Sequence, residues 1–514
     1  MTPNPQHGDR HMARHTAWNL IGLCAPMLVA LFAIPFLING LGRDRFGLLT
    51  LVWMLVGYLG VFDLGLGRAL TQSVAQRLGE NRLGEVAGIF WTAIFIMSGL
   101  GVLAGLLVWL AAPWLATSAL TIDPPLQPET LRSFRAVAFS LPIIISITGL
   151  VGTLEAFRKF GLINAIRIPT GAYTFLGPLL VLPFSKSLYA VVLTLLAGRA
   201  VEWIIFFTAC LFTIPGARAT ARAERRHISG LVRFGSWMTV TNLVAPLLMH
   251  IDRFLIGALR TVGDVTFYAT PAEIVVKLLI LPRAWVGVLF PSFAGNFRLR
   301  LQDTAALFLR ACRYLLAGLF PVVAGLIALA SEFLGWWLGP EFGVASSPVM
   351  RLLTAGVFLH SLAFVPNALL QAVRRPDLSA KLNLVELPLY LGGASLLIYQ
   401  FGIMGAAIAW LIRALAEFFF TLFFALRVLQ RSLASVRRFV IVAALDLAAM
   451  ALIALPSAPG PRIAVWLALS LIHAGACWAW LFDAGDRDRI RRQLVKTRQT
   501  AQRFRRRIGT SEAT

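Results

Sequence analysis

Predominantly apolar stretches of 18 or more residues recur along the whole of this 514-residue chain. A stretch of that length crosses the hydrocarbon core of a bilayer as an α-helix, which satisfies its own backbone hydrogen bonds where no water is available. Hydrophobic residues make up 58% of the chain and charged residues only 14%, whereas soluble domains average about 25% charged residues. The sequence therefore predicts an all-α polytopic membrane protein rather than a soluble one.

About fourteen membrane-spanning helices are predicted, joined by short connections. The first contains Ala17–Ile38 and is interpreted as a retained span, because no small-residue cleavage site follows it. The predicted spans are residues 16–39, 46–67, 86–112, 134–155, 162–184, 187–213, 233–258, 266–292, 305–333, 349–373, 379–399, 402–426, 439–456 and 462–482.

The formal net charge of +23 is distributed unevenly between the two sides of these spans. Alternate connections hold many basic residues and the others hold few, and this asymmetry places both termini in the cytoplasm. The charge therefore indicates topology, and nucleic-acid binding is not predicted. The basic segments are residues 68–82, 158–167, 218–233, 298–300, 374–381, 427–438 and the tail after Arg487.

Similar pieces of sequence occur twice, about 215 to 223 residues apart. An arginine and a glutamate lie within one helical turn inside two predicted spans, as Arg199 with Glu202 and as Arg413 with Glu417. A first-half motif, residues 41–47 (LGRDRFG), is matched by a second-half motif, residues 262–268 (VGDVTFY). The common separation predicts a duplicated transporter with two pseudo-symmetric six-helix lobes and a polar path between them.

The duplication sets the predicted domain bounds. A cytoplasmic N-terminus (1–15) precedes the first lobe (16–213), a basic linker (214–232) leads to the second lobe (233–428), two extra C-terminal helices follow (429–482), and a basic cytoplasmic tail (483–514) ends the chain. The apolar spacing in the tail fits either an amphipathic helix on the inner leaflet or a solvated segment.

Ionisable side chains inside predicted spans are costly in hydrocarbon, so they are the candidate functional residues. Arg283 has no acidic residue within one helical turn and needs a partner from elsewhere, for which an anionic substrate group is one candidate. A second set of ionisable residues is interpreted as charge pairs within the cavity or as groups that couple transport to an ion. These residues are Asp63, Arg199, Glu202, Asp252, Glu273, Arg413 and Glu417.

Motifs of catalysis and cofactor binding are not found in the sequence. There is no Gly-x4-Gly-Lys-Ser/Thr loop to bind nucleotide phosphates, so direct coupling to ATP is not predicted. The four cysteines lack ligand or disulfide spacing and are interpreted as apolar packing residues. We expect no catalytic residue, no metal and no cofactor.

The first-half motif and the following segment 62–69 (FDLGLGRA) resemble the signature of polysaccharide-transport flippases. So do residues 251–257 (IDRFLIG), which are followed by Gly263, Phe267 and Tyr268. These proteins belong to the multidrug, oligosaccharidyl-lipid and polysaccharide exporter superfamily, and residues 366–371 (PNALLQ) are a weaker match to it. The resemblance implies two lobes around a central cavity, a location in the bacterial cytoplasmic membrane and an undecaprenyl-diphosphate-linked oligosaccharide as substrate. On that basis Arg283, Lys277 and Arg253 are expected to bind the diphosphate.

The first predicted span differs from the first helix of related flippases, and this difference narrows the substrate class. Related peptidoglycan-precursor flippases have basic residues in their first helix, whereas Ala17–Ile38 contains no charge, which favours O-antigen, capsule or exopolysaccharide units. Two alternatives stay open: a cation-coupled multidrug exporter of the same superfamily, and a membrane-embedded polysaccharide polymerase. The partners to consider are the lipid-linked oligosaccharide, membrane lipids and polysaccharide polymerase or assembly proteins.

Overall fold

The computed structural model describes residues 28–59, 63–219, 247–296, 301–373 and 375–492, together with residues 26 and 244. Every regular element in these ranges is helical. The prediction of an all-α polytopic fold is therefore confirmed. The expectations for the tail beyond residue 492, for most of the linker 214–232 and for the first half of the first span lie outside the described residues.

The first half of the chain forms seven described helices. They are α1 (Leu28–Leu41), α2 (Arg43–Leu59), α3 (Leu66–Gly79), α4 (Leu83–Trp114), α5 (Gln127–Ala156), α6 (Phe160–Val181) and α7 (Leu188–Thr213).

The second half adds eleven helices within the described ranges and a final helical segment, residues 484–492. They are α8 (247–259), α9 (Val262–Lys277), α10 (Ile280–Asn296), α11 (Leu301–Ala328), α12 (Ala330–Leu338), α13 (Pro340–Ala345), α14 (Ser347–Ala372), α15 (Pro376–Phe401), α16 (Ile403–Val428), α17 (Arg437–Ala454) and α18 (Pro459–Ala476).

Each predicted span overlaps a helix, and nine helical stretches of the described chain are long and apolar enough to cross a membrane. The count of fourteen crossings stays a prediction. The predicted second span, 46–67, was wrong at its C-terminal end, because Leu64 and Gly65 take left-handed conformations (φ 52° and 74°) that interrupt a helix before α3 begins. The helices α3, α12 and α13 were not predicted; α3 occupies most of the basic connection 68–82.

The chain divides into two compact units. Unit 1 comprises Met1–Thr270 and Asn383–Ala406, and unit 2 comprises Pro271–Leu382 and Ala407–Thr514. The helices α9 and α15 each contribute residues to both units. This division differs from the predicted lobes, whose bounds stay a prediction.

In unit 1, small residues allow α4 and α5 to approach closely. A Cβ atom at Gly101 would lie 2.3 Å from Pro142 Cα, and one at Gly105 would lie 2.5 Å from the carbonyl oxygen of Ala138. Close backbone approach at glycine is the usual means of packing helices in a membrane, where lipid is as apolar as leucine. The packing holds α5 in place as the support for Asp63, described below.

In unit 2, α11 packs against α14, α17 and α18. Its buried face includes Leu316, Phe320 and Val323, each 0% exposed. Gly325 leaves room for the indole of Trp466 on α18, whose Nε1 donates a hydrogen bond to the carbonyl of Pro321 at 3.0 Å. The two extra C-terminal helices are thus fixed to α11 by both packing and hydrogen bonding.

Candidate substrate and coupling sites

The eighth predicted span, residues 266–292, is interrupted. The helix α9 ends at Lys277 and α10 begins at Ile280. Around the break, the amides of Leu278, Leu279 and Leu281 donate to carbonyls three residues earlier, each at 3.1 Å, which is a tighter pattern than that of an α-helix. Pro282 follows and has no amide hydrogen to donate. The span is therefore a broken helix.

Two exposed cations flank this break. Lys277 is the last residue of α9, and Arg283 lies in the first turn of α10. Lys277 Nζ is 3.8 Å from Glu273 Oε2, with side-chain exposures of 45% and 33%, which makes a weak ion pair. Among the described residues, none pairs with the guanidinium of Arg283. Its charge is thus available to a ligand.

Arg253, the third expected diphosphate ligand, has different surroundings. It lies on α8 in unit 1 and is 5% exposed, whereas Lys277 and Arg283 belong to unit 2. Its neighbour Asp252 is also buried and accepts hydrogen bonds from the hydroxyl of Tyr268 on α9 and from the amide of Arg253. The three expected ligands are not brought together within one unit, and Asp252 ties α8 to α9.

Arg199 and Glu202 form an ion pair within one turn of α7. Arg199 Nη1 lies 2.7 Å from Glu202 Oε2, and the glutamate side chain is 6% exposed while that of the arginine is 31% exposed. The pair neutralises itself locally, as the three-residue spacing allows. Because each of the two charges already has a partner, the pair does not require a ligand to neutralise it.

Exchanging these two residues tests that interpretation. The double variant R199E/E202R preserves the ion pair, so we expect surface polysaccharide and protein level close to wild type. In contrast, R199A removes the partner of a buried carboxylate, which costs roughly 1–3 kcal/mol, and should lower the amount of protein in the membrane. Immunoblots of membranes and a surface-polysaccharide assay measure both. A swapped protein that is abundant but inactive would assign the pair a direct role in transport.

Glu417 of the second repeated pair has more neighbours than Glu202. His360 Nδ1 on α14 lies 2.7 Å from Glu417 Oε2, while Arg413 Nη1 is 3.8 Å from the same oxygen. Asn367 Nδ2 donates to Glu417 Oε1 at 3.4 Å, and Asn367 Oδ1 accepts a hydrogen bond from Ser379 Oγ at 2.8 Å. This network joins α14, α15 and α16 within unit 2. The two repeated pairs are therefore not equivalent.

The partners of Asp63 hold the start of α3 and connect it to α5. One carboxylate oxygen accepts the amide of Gly65 at 2.9 Å, and the other accepts the amide of Gly67 and the hydroxyl of Thr148, both at 3.0 Å. Asp63 therefore satisfies amides at the start of α3 and connects that helix to α5.

The first-half and second-half motifs contact each other within unit 1. Thr266 Oγ1 donates to the carbonyl of Arg43 at 2.7 Å. The guanidinium of Arg43 lies over the ring of Phe267, 5.4 Å from its centroid. A Cβ atom at Gly263 would lie 2.5 Å from Asp44 Oδ1. The two pieces that revealed the duplication are thus packed together.

Gly47 makes this contact possible. A Cβ atom there would lie 1.8 Å from the carbonyl oxygen of Val262, a distance that no real Cβ adopts. Beside it, the amide of Thr121 donates to the carbonyl of Gly257 at 2.8 Å. All of these contacts involve ends of helices for which the charge asymmetry predicts a position on the outer side.

His360, Asn367 and Tyr268 were not predicted as site residues. Each is a polar side chain inside a largely apolar helix, and this was one signal that the sequence offered. A second signal was that Asn367 and Tyr268 fall in segments that resemble the flippases. Their partners lie 12 to 57 residues away in sequence, so spacing alone could not identify them. In the part of the chain that the structure describes, no group of three or more His, Cys, Asp or Glu side chains could hold a metal ion.

Comparison with solved structures places the fold among membrane transporters. The structure matches an inward closed conformation of the lipid II flippase MurJ with a TM-score of 0.66 and 12% identity, over 90% of this chain and 98% of that one. It matches an inward-facing multidrug resistance MATE family transporter of the MOP superfamily with a TM-score of 0.62 and 14% identity, over 80% of this chain and 99% of that one. These likenesses show that the chain shares the fold of those two structures.

The sequence then assigns the family. Residues 41–347 match the model of the polysaccharide biosynthesis protein family, and the chain belongs to that family. It is 26% identical over 412 residues to a Shigella flexneri protein named "Putative O-antigen transporter", covering 79% of this chain and 95% of the relative. The expected resemblance to polysaccharide-transport proteins is confirmed: the chain is a membrane transporter of polysaccharide biosynthesis.

Proposed function

We propose that the protein is a flippase for an undecaprenyl-diphosphate-linked oligosaccharide. It moves this substrate from the inner to the outer leaflet of the bacterial cytoplasmic membrane, for O-antigen, capsule or exopolysaccharide synthesis. The similarity to the Shigella flexneri protein, along 95% of the length of that protein, is the observation that carries the proposal. The fold shared with a lipid II flippase supports it.

Such a substrate needs a polar path. Each sugar hydroxyl that loses water without gaining a partner costs about 4–8 kcal/mol in an alkane-like medium, so even a short oligosaccharide cannot cross hydrocarbon unaided. A path lined by polar side chains removes that cost, while the lipid tail stays in the bilayer. This requirement explains why a chain so apolar has ionisable side chains inside its spans.

Lys277 and Arg283 are the proposed ligands of the diphosphate. They flank the break between α9 and α10, and both are exposed. Broken helices commonly form the substrate sites of transporters, and the positive end of the α10 dipole adds to the charge of Arg283. A guanidinium binds phosphate oxygens in pairs, which makes Arg283 the stronger of the two ligands. Arg253 is buried and is assigned a lesser part.

The membrane potential can drive this movement without ATP. An inside-negative potential of 100 mV is worth about 2.3 kcal/mol per charge. Moving two negative charges outward is thus favoured by roughly 4–5 kcal/mol. The network around Glu417 and His360 supplies a titratable group for ion coupling in addition.

Alternating access gives the contact between the two motifs a role. In the inward-open state this contact closes the outer end, and in the outward-open state Thr266 and Phe267 separate from Arg43.

A cation-coupled multidrug exporter is the second candidate, favoured by the likeness to the MATE transporter. That activity calls for acidic groups at the ligand site, whereas the exposed groups at the break of the eighth span include two cations.

Deletion of the gene in its host tests the function. We expect lipid-linked oligosaccharide to accumulate on the inner leaflet and surface polysaccharide to disappear, with both restored by the wild-type chain. Inner-leaflet and outer-leaflet pools are distinguished by the access of a membrane-impermeant glycosidase. Single oligosaccharide units that reach the outer leaflet without being joined would contradict the flippase and indicate a polymerase.

A further inference from the structure

Exposed arginines lie just before the first of the two extra C-terminal helices, in its first turn, and in the helical segment that follows the second. This arginine collar consists of Arg431, Arg437, Arg438, Arg489, Arg491 and Arg492. Among the described residues no acidic side chain forms an ion pair with any of them, and Asp488 is the one exposed acid in the adjoining helical segment 484–492. Like charges at this density repel one another unless anions from outside the chain neutralise them.

The nearby acids are already occupied. Asp486 is 0% exposed, lies 3.1 Å from Arg310 Nε and 2.9 Å from Arg313 Nη2, and so binds the segment to α11. Asp483 also lies 2.9 Å from Arg313 Nη2 and accepts the amide of Asp486 at 2.8 Å. These contacts fix the start of segment 484–492, and they leave the collar without compensation from either carboxylate.

Two tryptophans lie beside the collar. The guanidinium of Arg491 lies over the ring of Trp478, 5.6 Å from its centroid, and Arg438 Nη1 donates to the carbonyl of Trp480 at 3.2 Å. Tryptophan is enriched at the boundary between hydrocarbon and water, where arginine side chains extend to the headgroups. The collar is thus expected at the depth of lipid phosphates.

We propose that the arginine collar binds the phosphate groups of anionic glycerophospholipids. The planar fork of each guanidinium matches two phosphate oxygens, and the headgroup layer surrounds the ends of α16, α17 and α18 at this point. The charge asymmetry of the sequence places this end in the cytoplasmic leaflet. Lipid binding there holds the C-terminal helix pair in position and is independent of the transported substrate.

The test uses the purified full-length protein in neutral detergent micelles. Thermal unfolding is followed during titration with phosphatidylglycerol or, for comparison, phosphatidylcholine. We expect phosphatidylglycerol alone to raise the unfolding temperature. The variants R437Q/R438Q and R491Q/R492Q should each weaken the apparent affinity of the protein for phosphatidylglycerol roughly thirty-fold, because each arginine near an anionic surface contributes about 1 kcal/mol. R132Q, an exposed arginine on α5 far from the collar in sequence, should respond like wild type.

Native mass spectrometry of retained lipid provides a readout that does not depend on stability. Fewer phosphatidylglycerol molecules should remain on both double variants than on wild type or R132Q. Equal stabilisation by the two lipids, or wild-type retention by both double variants, would overturn the proposal. Stabilisation by inorganic pyrophosphate that disappears in the same variants would also overturn it, because the collar would then be a site for soluble phosphate anions.

Discussion

Replacing both Lys277 and Arg283 with alanine is expected to reduce surface polysaccharide by at least tenfold while the protein level in the membrane stays at the wild-type value. A hydrogen bond to a charged group contributes about 1.5–3 kcal/mol, so the loss of Arg283 alone should lower export by roughly 10- to 150-fold. Stability should change little, because both side chains are exposed and Lys277 has only a distant partner in Glu273. Export per molecule is obtained from polysaccharide and immunoblot signals together.

Two further variants make this result specific. R283K retains the charge and loses the paired geometry of the guanidinium, so its export should lie between those of wild type and R283A. R132A removes an exposed arginine from α5 and should leave export unchanged. Normal export by the double alanine variant would eliminate the proposed diphosphate site, while a general loss in R132A as well would point to net charge rather than to a site.

Most of the fold follows from the sequence because hydrocarbon permits few solutions. An apolar run of span length must be helical there, and the predicted spans accordingly overlap helices. The helix α3 was missed since its composition (LGRALTQSVAQRLG) is that of a polar connection. Its start depends on Asp63 accepting two amides, and that arrangement requires the left-handed turn at Leu64 and Gly65.

Within the candidate sites, the sequence predicts the contacts made inside one helix and not those made between helices. The ion pair of Arg199 and Glu202 is set by a three-residue spacing on one helix. In contrast, the contact of His360 with Glu417 joins two helices 57 residues apart and depends on packing.

The presence of Pro282 alone did not predict that the helix would break near it. Prolines also occur within several uninterrupted helices, such as Pro142 in α5 and Pro178 in α6. A proline therefore indicates where a helix can open, and the surrounding structure decides whether it does.

Replacing Gly47 with alanine is expected to disfavour closure of the outer end and to lower export by roughly 5- to 150-fold. The added Cβ would lie 1.8 Å from the carbonyl oxygen of Val262, so α2 and the start of α9 have to separate. Overpacking of this kind costs about 1–3 kcal/mol, which shifts an equilibrium between two states by roughly 5- to 150-fold. Gly57 is the matched control, because it lies on the same helix with nothing within 4 Å of its Cβ position. G57A should therefore be stable and active.

Thiol labelling separates this conformational effect from simple misfolding. Val265 lies in the second-half motif and is 0% exposed, so V265C, in a background without the native cysteines, reports on the contact between the motifs. A membrane-impermeant maleimide added to intact cells should label V265C slowly in the wild-type and G57A backgrounds and rapidly with G47A. Slow labelling combined with normal export in the G47A background would show that the two motifs do not have to meet during transport. Rapid labelling without export would establish that closing the outer end is an obligatory step, since the only added atom is a methyl carbon facing Val262.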